Sequence, residues 1–273
     1  MTRLTVDGTM YEVRMSGHGP PVLLIHGFTG RGSDWTPFLR HIQRTSTTVV
    51  VDLLGHGRSS APTDPARHAI ERQAADLATI LRRLDAVPAV VVGYSMGARV
   101  ALRMAVAEPT VVRGLVLESP SAGIADDRER ARRAAADARL ADQLERDGLD
   151  AFLETWEAAP PFASERQLPA AAQEQIHAAR SRNRPDGLAA SLRGAGQGVM
   201  APLVDRLASI RCPTLVVAGA LDAVGIERAR VVAQRIPSVR MLILPGIGHA
   251  PHRESPPRFR RLLIDQLASW SAS

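Results

Sequence analysis

Six short runs of apolar, largely β-branched residues recur at positions 22–25, 48–51, 89–94, 112–118, 214–218 and 240–244. Their length and composition predict buried strands. Between them, apolar residues return every three or four positions over 34–43, 70–84, 96–107, 226–235 and 257–270, a spacing that puts them on one face of a helix. Strands alternating with helices form βαβ crossovers, so the pattern predicts a mostly parallel sheet with helices on both faces. The opening LTVDGTMYEVRM differs, because two alternating runs flank Asp7-Gly8, the signature of an antiparallel hairpin at a sheet edge. From Ser121 to about Ala201 strand signals vanish and Ala-, Arg- and Glu-rich helical segments take over. This predicts a helical cap over residues 121–200, inserted between two parts of one core at 1–120 and 201–273.

Composition narrows the chemistry. With 273 residues, 45% of them hydrophobic and 23% charged, the chain can bury a substantial core. No apolar stretch is long enough to span a bilayer and the start lacks the apolar region of a secretory signal, so a cytoplasmic protein is expected. All 34 basic residues are arginines. Without lysine there is no Schiff base, no pyridoxal phosphate anchor and no P-loop lysine. The net charge is only +6 and the arginines are not clustered, so nucleic acid is not an expected partner. The single cysteine, Cys212, excludes an intrachain disulfide and reads as a small packed residue. No motif implies a metal or an organic cofactor; oligomeric state is left open, with a monomer preferred.

The strongest chemical signal is GYSMG, residues 93–97, directly after an apolar run and directly before a helical one. A serine in such a strand–turn–helix elbow is held with its hydroxyl exposed above the sheet, which makes Ser95 the candidate nucleophile. A hydroxyl needs a partner to take its proton, and the order serine, acid, histidine is met by Asp222 in GALD after one strand and by His249 in GIGH after the next. His252, three residues on, lacks further ligands at metal spacing and reads as a packing or hydrogen-bonding residue. The loop HGFTG at 26–30 follows the first parallel strand, so the amides of Phe28 and Met96 are expected to face one developing oxyanion. His26 and His56 read as loop-shaping residues. Arg99 lies four residues after Ser95 on nearly the same helix face, near the positive end of the helix dipole. A cation there calls for an anion, in the protein or in a substrate.

The serine elbow, the His-Gly loop, DLLGHGRS at 52–59 and the late GIGH resemble the α/β-hydrolase superfamily over essentially the whole core. The resemblance implies an α/β-hydrolase fold. Within it, GYSMGARVAL, HGFTGRGSDW, VLESPSAG and RPDGLAASLRGAGQG are similar to the menaquinone-pathway synthases that make 2-succinyl-6-hydroxy-2,4-cyclohexadiene-1-carboxylate. Ala98, Leu54 and the GQGVMAP segment depart from that pattern. The resemblance implies a lyase that removes a proton from an enolpyruvyl cyclohexene carboxylate and expels pyruvate. It gives the binding of an anionic small-molecule substrate to Arg99, Arg180 and Arg128, with Tyr94 and Trp156 touching that substrate. The alternative on the same fold is a serine hydrolase acting on an ester or a carbon–carbon bond.

Overall fold

The structure, a computed structural model, describes residues 2–271. In chain order these form β1 (Thr2–Val6), β2 (Thr9–Gly17), β3 (Pro21–Ile25), α1 (Thr36–Ile42), β4 (Thr47–Val51), α2 (Ile70–Arg83), β5 (Ala89–Tyr94), α3 (Met96–Ala107) and β6 (Val112–Glu118). Then come α4 (Asp127–Ala158), α5 (Ala170–Arg180) and α6 (Pro185–Ala195), and after them β7 (Thr214–Gly219), α7 (Ala223–Ala233), β8 (Val239–Leu244), α8 (Pro251–Glu254) and α9 (Pro256–Ser271). The strands make one sheet in the order β1-β2-β4-β3-β5-β6-β7-β8. The first two pairings, β1 with β2 and β2 with β4, are antiparallel; all the others are parallel.

Side chains on successive strand positions point to opposite faces, and the sheet uses both. Leu23 and Ile25 of β3 enter a core layer shared with α2 and α3, whereas Val22 and Leu24 enter the layer beneath α1 and α9. The hairpin turns at Asp7 and Gly8, whose φ values of 45° and 72° supply the left-handed pair that a tight two-residue turn requires. β4 lies on one side of β3 and β5 on the other, so the chain reverses direction across the sheet at β3. In open parallel sheets a crevice forms at the carboxyl ends of the strands that flank such a reversal.

Three expectations shift in detail, and the cap segment adds a bend. β8 is an edge strand rather than a buried one, with Ile243 39% exposed, because β7 is its only neighbour in the sheet. The helix expected from residue 34 begins as a 3₁₀ turn and becomes α1 at Thr36, with Pro37 in its first turn, where a missing N–H costs nothing. α7 starts at Ala223, because the Asp222 side chain accepts the Gly225 amide and caps it. α4 bends at Gly148, whose φ of 84° and ψ of 177° break the helix into two arms. Those arms and α6 bury Leu144, Phe152, Leu153, Leu188 and Leu192 in a core of their own, separate from the two sheet layers.

Candidate functional site

Ser95 sits between the last residue of β5 and the first of α3 with φ 50° and ψ −102°. This left-handed geometry is strained for a residue with a Cβ and persists only where its surroundings enforce it. Here the enforcement is visible. The Ser95 amide donates to the Glu118 carbonyl at 2.9 Å, and α3 lies so close to β3 that a Cβ on Gly97 would come 2.4 Å from the Ile25 carbonyl. Thr29 and Ser119, with φ 63° and 49°, are left-handed as well.

His249 Nε2 lies 3.1 Å from Ser95 Oγ, and His249 Nδ1 lies 2.6 Å from Asp222 Oδ2. A carboxylate only accepts, so Nδ1 carries the hydrogen and Nε2 is left to accept from the serine hydroxyl. The other Asp222 oxygen accepts the Gly225 amide at 2.9 Å. Burial pushes the Asp222 carboxyl up, yet the hydrogen bond from His249, the imidazole's charge and the Gly225 amide outweigh it and hold the group below the usual carboxylate range. The histidine loop is pinned from both sides. Glu254 accepts the amides of Gly248 and Ala250 at 2.7 and 3.0 Å, and the Ser119 hydroxyl donates to the His249 carbonyl at 2.7 Å.

His26 and His56 fasten loops. His26 donates from Nδ1 to the Gly27 carbonyl and accepts the Leu53 amide on Nε2; His56 donates to the Leu54 carbonyl and accepts the Thr29 amide. Burial pushes both imidazoles down in pKa, which keeps them neutral. His252 packs on Trp35 and donates from both its amide and its Nδ1 to one Glu118 carboxylate oxygen, at 2.8 Å each. Among the described residues no cluster of His, Cys, Asp and Glu could hold a metal ion, and no helix is long and apolar enough to cross a membrane. Cys212 is half-buried and its thiol is pushed up to about 11 by burial, as befits an unreactive packed residue.

Ser95 and His249 open on a cavity of about 370 Å³ between the sheet and α4–α6. Phe28, Tyr94, Met96 and Trp156 line it. Trp156 stacks on Phe152 and meets Phe28 edge-on, while its indole N–H has no partner. Arg99 also lines the cavity and is 6% exposed. It donates to the Ala195 carbonyl at 2.5 Å, and among the described residues no carboxylate lies within ion-pair distance of it. Burial and repulsion from Arg133 lower it to about 10, so it is a cation at neutral pH.

Two arginines expected at the site lie elsewhere. Arg128 is exposed in the first turn of α4 and does not reach the cavity. Arg180 is 2% exposed but is held by Glu165 at 2.8 Å and Glu157 at 3.2 Å, over the face of Phe162 and outside the lining. The carboxylates that claim it come from the cap 15 and 23 residues earlier, a juxtaposition that spacing alone does not announce. In their place the cavity contains Arg133 and Arg228. Arg133 pairs with Asp137 at 2.8 Å, whereas Arg228 has no ion pair among the described residues, and burial and repulsion from Arg133 lower its pKa. Three guanidiniums thus face a single carboxylate. A signal for Arg228 existed: counting α7 from Asp222 puts it within two turns of that residue.

Residues 22–262 match the α/β hydrolase family. A protein of Bacillus subtilis (strain 168), named provisionally as a 2-succinyl-6-hydroxy-2,4-cyclohexadiene-1-carboxylate synthase, is 37% identical over 265 residues, 96% of each chain. Among solved structures, MenH from S. aureus superimposes with a TM-score of 0.91 at 28% identity over 96% of this chain and 98% of that one. A thermophilic esterase from Thermogutta terrifontis, bound to malate, follows with a TM-score of 0.87 at 27% identity over 99% of both. The chain belongs to the α/β-hydrolase family and, within it, to the family of these synthases.

Proposed function

We propose that the protein is a 2-succinyl-6-hydroxy-2,4-cyclohexadiene-1-carboxylate synthase, a carbon–oxygen lyase that eliminates pyruvate from 2-succinyl-5-enolpyruvyl-6-hydroxy-3-cyclohexene-1-carboxylate. One observation carries the reading: a serine–histidine–aspartate hydrogen-bonded series opens on a cavity in which three guanidiniums face one carboxylate. An ester of a neutral alcohol and acid has no use for that charge. A substrate with carboxylates on its ring, succinyl and enolpyruvyl groups does, because each can take a guanidinium fork.

In this mechanism Ser95, its proton drawn toward His249, removes the hydrogen beside the succinyl carbonyl. The electron pair moves onto the carbonyl oxygen, where the amides of Phe28 and Met96 and the positive end of α3 stabilise it. Collapse of that enolate shifts the ring double bond and breaks the bond to the enolpyruvyl oxygen. The group leaves as the enolate of pyruvate and takes on its methylene carbon the proton that His249 holds, which gives pyruvate and restores the neutral imidazole. Asp222 stays ionised and stabilises the imidazolium while the proton resides on His249. Arg99, Arg133 and Arg228 hold the carboxylates, and the partnerless indole N–H of Trp156 supplies one more donor.

The purified protein is expected to release pyruvate from the enolpyruvyl substrate far faster than it cleaves nitrophenyl esters, and Arg99→Ala should depress the first reaction selectively. Efficient Ser95-dependent ester cleavage without pyruvate release would assign it instead to the serine hydrolases, whose fold it shares. Tight ligand binding with no Ser95-dependent turnover would make it a receptor.

A further inference from the structure

A second recess at the carboxyl end of the sheet shares no lining residue with the cavity at Ser95. It holds about 220 Å³ and is lined by Glu12 and Arg14 of β2, Arg31 to Ser33 after β3, Val50 and Asp52 at the end of β4, Arg58, and Arg182 between α5 and α6. It therefore lies over β2 and β4, on the other side of β3 from Ser95.

Its charge is out of balance. The guanidiniums of Arg14, Arg31 and Arg182 share the recess with Asp52 and with Glu12, which also serves Arg3 outside the lining. Asp52 accepts the Gly32 amide at 2.6 Å and the Arg58 amide at 2.8 Å, and Glu12 faces Arg3 at 3.4 Å. Arg31 Nε and Nη2 and Arg14 Nε are buried with no hydrogen-bond partner. A buried N–H left unpaired is costly, and a guanidinium fork matches an oxyanion in both charge and geometry. Burial lowers the Arg31 pKa, opposed by Asp52 and Asp34 and reinforced by Arg182 and Arg58.

We propose that this recess is a binding site for a phosphoryl group, held between Arg31 of the core and Arg182 of the cap. A phosphate at neutral pH brings several acceptor oxygens and close to two negative charges, which suits the unpartnered N–H groups of Arg31 and Arg14. Bound there, it would tie the cap segment between α5 and α6 to the loop that carries Phe28.

Calorimetric titration with inorganic phosphate and with glycerol phosphate, at ionic strength matched with sodium chloride, tests this on the wild type, Arg31→Met, Arg182→Met and Arg228→Met. One saturable site is expected, weakened about tenfold or more in Arg31→Met and Arg182→Met and retained in Arg228→Met. Arg182 is exposed, so its replacement separates binding from folding. A preference for glycerol phosphate would assign the site to a phosphate on a larger molecule, and a preference for inorganic phosphate to the free anion; both support the site. Equal affinity in the wild type and the Arg31 and Arg182 variants, loss confined to Arg228→Met, or no heat beyond the chloride control would overturn it. The outcome is independent of whether the protein releases pyruvate.

Discussion

The reacting groups and the cations around them are positioned by different means. Ser95 directly follows β5, and Asp222 and His249 lie in the short loops after β7 and β8; each is fixed by backbone hydrogen bonds or by a side chain next to it in the fold. The guanidiniums of Arg133 and Arg228 come from helices, and what they meet depends on how α4 bends and on where α7 begins. A strand end is a position in a lattice of hydrogen bonds. A helix face is a phase, and an error of one or two residues in its start turns it by 100° or more.

The sharpest way to break this contrast is at the imidazole. His249→Ala is expected to lower kcat for pyruvate release by about 10³-fold or more while leaving KM within a few-fold, measured by a pyruvate-coupled assay. A small loss would mean that Ser95 does not depend on His249. The same region predicts a pH effect. Asp222 is held below its usual range in the folded chain, so its ionised form stabilises the fold above the unfolded carboxyl pKa, and that contribution disappears as pH falls through the lower folded value. The stability gap between wild type and Asp222→Asn should therefore narrow below about pH 4, as read from urea unfolding at a series of pH values.

On the cap side the next largest effect belongs to Arg180, and it is one of stability. Arg180→Met leaves the buried Glu165 without its nearest cation, a change that typically costs about 3 kcal/mol and should appear as a lowered Tm. A raised KM with an unchanged Tm would return Arg180 to the substrate. Arg228→Met removes a cation that has no ion pair among the described residues, so KM should rise about tenfold with little change in Tm. Smallest is Arg128→Ala: an exposed residue outside the cavity should change neither KM nor Tm measurably.

The legibility of the chain follows the same division. The parallel sheet, the elbow at Ser95, and the order of Asp222 and His249 could be read because apolar runs, glycines and loop residues are local signals. The hairpin at Asp7-Gly8 was readable for the same reason, since a left-handed pair admits few residue types. β8 was read as buried because an apolar run looks alike in a central and an edge strand; only the sheet order exposes Ile243. Arg99 was legible through its fixed offset from the elbow. Arg180 and Arg128 were assigned by resemblance, but a matching segment does not reveal which carboxylates lie beside it.

What the amino-acid order determined by itself is the fold class and the placement of Ser95, His249 and Asp222 at strand ends, because strand ends and tight turns depend on neighbours in the chain. What the tertiary structure alone decided is which arginines remain available to a ligand. Opposite charges pair with whatever lies within a few ångströms, and between separate elements that distance is set by packing: Glu165 reaches Arg180, and Arg228 is left facing the cavity.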